Sequence, residues 1–129
     1  MIYIALNFVP ILVATLAGLG IGAIVYRRAA SDAALRRLLP IAFLAEFWLS
    51  AILAGALILA PPRAGVWTMA LGSAFVIWIG FVVPALIVSQ RVRGAAWRAI
   101  EVDCAHWLLV MLVQAAVMQS WGLVAPPVY

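Results

Sequence analysis

Charge is what this sequence has least of. Only 9% of its 129 residues are Asp, Glu, Lys or Arg, against about 25% in ordinary soluble domains, and that excludes the soluble class. Lysine is absent, so all eight basic residues are arginine. A single cysteine excludes an internal disulfide. With one histidine and one cysteine, no metal-ligand cluster can be read from spacing. Disorder is excluded too, because a disordered chain needs low hydrophobicity and high charge, whereas 69% of this one is hydrophobic. The net charge is +4. In a polar protein that balance would point to nucleic acid. Here the arginines sit in short gaps between long apolar runs, so the expected partner is the lipid bilayer and not nucleic acid.

Four such runs are present. A helix needs about 20 mostly apolar residues to cross a bilayer core of about 30 Å. The runs cover residues 2–26, 39–60, 66–88 and 104–124. Membrane strands have about 9–11 residues and alternate polar with apolar; these runs do neither. The expected fold is all-α: a polytopic membrane protein, an antiparallel four-helix bundle forming a single domain over residues 1–129. Pro61-Pro62 and Pro126-Pro127 stop the second and fourth helices, because proline cannot continue the hydrogen-bond ladder. Pro40 is tolerable near a helix start. Alternatively, the second helix begins at the capping pair Ser31-Asp32, and Pro40 then kinks it. Pro84 lies inside the third run and should bend it by leaving the Gly80 carbonyl unbonded. No basic residue precedes the first run, which is longer than the core of a signal peptide, so it reads as a retained anchor.

Arginine placement gives orientation. Arg27, Arg28, Arg36 and Arg37 lie between the first two runs, and Arg91, Arg93 and Arg98 between the last two. Only Arg63 lies in the middle spacer. The positive-inside rule puts the two Arg-rich spacers in the cytoplasm and both termini outside it. The expected location is a membrane bordering the cytoplasm. Tyr3, Trp67, Trp121 and Tyr129 would mark the outer interface, and Tyr26, Trp97 and Trp107 the inner one. Trp48 and Trp78 fall deeper and should pack.

Lipid is as apolar as leucine, so close contact between small residues must hold such helices together. The expected contact positions are Ala14, Gly18 and Gly22 on the first helix, Gly55 with Ser50, Ala51 and Ala54 on the second, and Gly72, Ser73 and Gly80 on the third. The string Gly18-Leu19-Gly20-Ile21-Gly22-Ala23 fits a loose dinucleotide-binding pattern. That site needs a preceding strand and a phosphate at a helix N-terminus, and this string lies inside an apolar run.

Few residues can carry chemistry. Glu46 lies about seven residues into the second run, roughly 10 Å along a helix axis. A charge at the bilayer centre costs about 2.5–3.5 kcal/mol on insertion scales, so an intramembrane acid needs a partner, a proton or water. One reading makes Glu46 functional; the other pairs it with a spacer arginine near the inner interface. His106, on the same side, offers a proton-handling pair with Glu46, a ligand for haem or a chlorophyll-type pigment, or a simple interhelical hydrogen bond. No cofactor is expected from one histidine alone. Asn7, Gln114 and Gln119 are expected to make interhelical hydrogen bonds of about 0.6 kcal/mol each, with Asn7 and Gln119 close enough to meet. Glu101 and Asp103 should cap the fourth helix electrostatically. No catalytic set is discernible, so the chain is not expected to be an enzyme.

Asn7, Val13-Ala14, Gly18-x-x-x-Gly22-Ala23 and Tyr26 resemble the first helix of the bacterial family called domain of unknown function 1761 (DUF1761). Trp78-Ile79-Gly80-Phe81-Val82 with Pro84 resembles that family's third helix. His106-Trp107-Leu108-Leu109-Val110 through Gln114-Ala115-Ala116-Val117 to Trp121 resembles its last. The resemblance implies four membrane helices in about 130 residues and no known reaction, substrate or cofactor. Two functions stay open. One is a non-catalytic accessory or assembly subunit, packed on a larger membrane complex. The other is a small transporter or proton-coupled carrier using Glu46 and His106, working as a homo-oligomer because four helices enclose little space.

Orientation is testable with single cysteines at Ala95 and Ala64. In intact cells a membrane-impermeant thiol reagent should label Ala64→Cys and spare Ala95→Cys; the reverse pattern would invert the topology.

Overall fold

The computed structural model describes residues 1–128; Tyr129, expected at the outer interface, lies outside the described residues. The chain order is α1 (Ile2–Leu6), α2 (Phe8–Tyr26), α3 (Asp32–Leu59), α4 (Val66–Ile77), a π-helical turn (Trp78–Val82), α5 (Val83–Val92) and α6 (Trp97–Trp121). The described residues contain no strand. Four stretches are long and apolar enough to cross a membrane: Phe8–Tyr26, Asp32–Leu59, Val66–Val92 and Trp97–Trp121. The chain is therefore an all-helical, multi-pass membrane protein.

Each departure from the expected helix limits has a local cause. The first run breaks at Asn7 because Pro10 has no N–H for the Leu6 carbonyl and its ring would crowd that carbonyl. The second helix takes the longer course from Asp32. Ser31 caps it, its hydroxyl accepting from the Ala34 N–H at 3.2 Å, and Pro40 sits within the helix. At Pro84 the third span widens into the π turn, where the Val83 N–H reaches back to the Trp78 carbonyl. A wide turn of this kind absorbs a missing bond inside a helix. The last helix begins at Trp97, seven residues before the expected start. It ends at Gly122, whose N–H still bonds the Met118 carbonyl and whose φ of 86° then turns the chain out of the helix.

Helix α6 is the centre of the bundle. It buries Ile100, His106, Val110, Met111, Gln114, Ala115 and Met118 along one face and packs on α2, α3 and α4. The core joins Ile11 and Ala14 of α2, Ala51, Leu53 and Ala54 of α3, Ala74 of α4, and Met111, Ala115 and Met118 of α6. So many alanines at one seam let the backbones approach closely, as membrane packing requires. The outer surface is apolar instead: Leu59, Phe81, Ile41 and Leu44 are all exposed. Every arginine is exposed as well.

Ala14, Ser50, Ala51 and Ala54 are buried as expected; of the five expected packing glycines, three make close contacts and two do not. Gly18 and Gly22 lie against side chains of α3 and α6, and Gly55 lies against the Tyr3 ring. At Gly72 and Gly80 an added Cβ would meet nothing within 4 Å, so neither admits a neighbour within the chain. On that span Ala70 and Ala74 make the close approach instead. Trp48 corrects the expectation that it packs: it is 54% exposed. It stands two residues from both Glu46 and Ser50, hence on the opposite side of α3. Trp78 does pack, and its indole N–H donates to the Cys104 carbonyl at 2.8 Å, tying the π turn to α6.

This packing separates tolerant from intolerant positions. Ala14→Leu should destabilise the bundle by about 1–3 kcal/mol, the usual cost of overfilling a packed core. Gly72→Ala should stay within about 0.5 kcal/mol of the parent, as surface substitutions do. Denaturation of the purified protein in detergent checks both.

Candidate functional site

Four of the buried polar residues, Glu46, Ser50, His106 and Gln114, fall in a line along α6 that half-buried Asp103 and Tyr26 extend, while Asn7 and Thr15 bond elsewhere. At the Arg-rich end, the Asp103 carboxylate accepts from the Tyr26 hydroxyl at 2.6 Å and from the Gln90 amide at 2.5 Å. Asp103 and Glu101 therefore do not cap α6 as expected. The helix starts earlier, its first turn holds no acid, and the exposed Glu101 pairs with Arg98 at 3.8 Å. Tyr26 is thus committed to this polar line rather than to a headgroup.

His106 comes next. Its Nδ1 stands 3.4 Å from the Tyr26 oxygen, and the rings meet edge to face. The single hydroxyl proton of Tyr26 already goes to Asp103, so the geometry suits an N–H at Nδ1 and a lone pair at Nε2. That Nε2 is buried and unpartnered among the described residues. It lies 3.4 Å from where a Cβ on Gly22 would stand.

Glu46 and Gln114 complete the line. The Gln114 amide donates to Glu46 Oε2 at 3.3 Å. Glu46 is 4% exposed and His106 5%. Because α3 starts at Asp32, Glu46 lies 14 residues into it, about 21 Å along the axis, of which the first turns carry Asp32, Arg36 and Arg37 ahead of the apolar run. The pairing with a spacer arginine does not occur: all the arginines are exposed, and the one ion pair among the described residues is Arg98–Glu101. One turn beyond Glu46 the Ser50 hydroxyl is buried without a partner, and so is Gln114 Oε1.

Glu46 and His106 line one cavity of about 330 Å³, with Gly22, Ala23, Tyr26 and Trp107 among its other walls. Leu35, Leu38, Leu39 and Ile41 of α3 form the side nearest the Arg-rich end, and Leu38, Leu39 and Ile41 are exposed. Toward the other end the alanine-rich core closes the bundle. The glycines of α2 make the room. A Cβ on Gly18 would overlap Glu46 Oε2 and stand 2.7 Å from Gln114 Nε2.

Of the expected hydrogen-bonding amides, Gln114 crosses to α3. Asn7 does not meet Gln119. Its amide donates to the Val124 carbonyl at 2.8 Å and accepts from the Val124 N–H at 2.7 Å, clasping the segment after α6 to the start of α2. Gln119 makes no side-chain hydrogen bond among the described residues. Sequence reasoning passed over Tyr26, Gln90 and Ser50 as members of the polar line. The available signal was spacing: Ser50 follows Glu46 by four, and Asp103, His106, Val110 and Gln114 share one helical face.

Residues 9–119 match the family described as protein of unknown function (DUF1761), and the chain belongs to it. No curated protein and no solved structure matches the chain.

Gly18→Ala should displace Glu46 and Gln114 from their seat and lower the thermal midpoint in detergent by several degrees. Gly20→Ala, with nothing within 4 Å, should leave it in place. Equal midpoints would mean that Gly18 is not the seat of the polar pair.

Proposed function

We propose that this DUF1761 member is a small proton-coupled carrier, with Glu46 as the group that alternately holds and releases a proton. One observation supports the reading above the rest. A buried carboxyl group with no arginine partner among the described residues shares a cavity within the bundle with an imidazole whose Nε2 has no hydrogen-bond partner there. Burying a carboxylate whose one donor is a neutral amide is costly, and that cost favours a proton-holding role beside the structural one. A core closed at one end and a cavity walled by exposed side chains at the other match one stage of alternating access. Tyr26 and Asp103 would position His106, and the chain would act by binding and release rather than by catalysis. The positive-inside rule turns the cavity toward the cytoplasm of a bacterial inner membrane.

A different observation favours the second reading, an accessory subunit on a larger complex. The third span, Val66–Val92, has the smallest share of buried residues of the four spans and exposes Phe75, Val76, Ile79 and Phe81, a face open to a neighbouring protein, whether another copy or a different one. Gentle detergent extraction followed by mass spectrometry would report stoichiometric foreign partners if that reading is correct.

The carrier reading is tested in proteoliposomes holding an imposed pH gradient. At least one of a panel of small organic solutes should speed decay of the gradient tenfold or more with the parent protein and not with Glu46→Gln. Equal decay for both proteins across the whole panel would overturn it.

A further inference from the structure

We propose that the cavity takes a lipophilic amine, an apolar body carrying a protonated amino head that pairs with Glu46. This names the cargo of the carrier described above and rests on that reading of the site.

The charge inventory comes first. The polar line contains two carboxyl groups, the buried Glu46 and the half-buried Asp103, and among the described residues no arginine faces either. Asp103 is supplied with two donors, from Tyr26 and Gln90. Glu46 has one, the Gln114 amide at 3.3 Å. All eight arginines are exposed. An anion in this site would meet a carboxyl group with no countercharge. A cation would supply what is missing.

The hydrogen-bond inventory points the same way. Of the groups lining the cavity, Glu46 and His106 bring hydrogen-bond acceptors, and His106 Nε2 meets no donor among the described residues. An ammonium group has three donors to offer them. Gly18, which seats Glu46 Oε2, and Gly22, which faces His106 Nε2, are four residues apart, about 6 Å along α2. The two acceptors thus approach α2 at successive turns of its glycine face, on the walls of one cavity.

The walls define the rest of the molecule. Leu19, Ala23, Leu38, Leu39, Ala42 and Trp107 line the cavity and suit an aliphatic or aromatic body. A volume of about 330 Å³ lies at the small end of ligand sites, where a few polar groups orient a mainly apolar guest. The exchange balances in charge. The Glu46 carboxyl proton goes to water as one ammonium takes its place, so one cation leaves for each that binds.

The test is calorimetric titration of the purified chain in detergent with 4-phenylbutylamine, 5-phenylpentanol and 5-phenylpentanoate, three probes of similar apolar body. The amine should bind saturably, releasing up to one proton per protein into weak buffer. The alcohol and the acid should bind at least tenfold more weakly. Glu46→Gln, nearly isosteric, should lose the amine at least tenfold, while Glu46→Asp should keep the preference for amine over alcohol. If Glu46→Gln fails to elute as the parent does, the amine-to-alcohol ratio in the parent and in Glu46→Asp decides. Equal affinity for alcohol and amine, amine binding unchanged in a folded Glu46→Gln, or no binding of any probe would overturn the proposal. Glu46-dependent gradient decay without amine binding would overturn the cargo alone. Saturable amine binding without such decay would overturn transport alone.

Discussion

The seat of Glu46 on Gly18 is the contact on which the interior depends. A carboxyl group within a membrane bundle needs space and at least one donor. Gly18 gives the space by having no side chain, and the Gln114 amide gives the donor. Three spans are committed by this contact at once. Helix α2 must present its glycine face, α3 must turn Glu46 inward, and α6 must bring Gln114 to the same level. The core beyond it then follows, because Ala14, Leu53 and Met118 continue those three faces. The small stripe on α2 therefore has two roles along its length. At Ala14 it allows helix-to-helix contact; at Gly18 and Gly22 it makes room for polar side chains.

The fold was legible where one physical constraint dominates. Long uncharged runs in a chain with 9% charged residues permit little except membrane helices, and that expectation holds. Helix limits were legible only where a local signal decides them. Ser31 competed with Pro40 for the start of α3 and won, because a membrane helix tolerates an internal proline when neighbours support it. The same rule let α6 run back to Trp97 through Glu101 and Asp103. Counting charges as helix boundaries placed its start too late. Pro10 was the signal for the break at Asn7.

The candidate site was legible in type and partly hidden in membership. Glu46 and His106 stand out because acids and histidines are rare in membrane helices. Which groups serve them depends on helix rotation and depth, which an apolar pattern leaves undetermined when all faces are apolar. Tyr26 looked like an interfacial anchor because its neighbours in sequence are arginines, yet its hydroxyl turns inward to Asp103. Gly72 shows the converse. A small residue in an apolar helix satisfies the packing pattern whether or not a neighbour is there.

The clasp between Asn7 and Val124 has a consequence for biogenesis. It joins the beginning of the first span to the residues just after the last, and α2 and α6 lie side by side in the finished bundle. A chain that enters the membrane from its N-terminus has α2 and α3 in place well before α6 emerges. Until then Asn7 lacks its Val124 partner and Glu46 lacks the Gln114 amide. The half-inserted chain is thus an intermediate with open polar valences, and the arrival of the last span satisfies both ends of the bundle together.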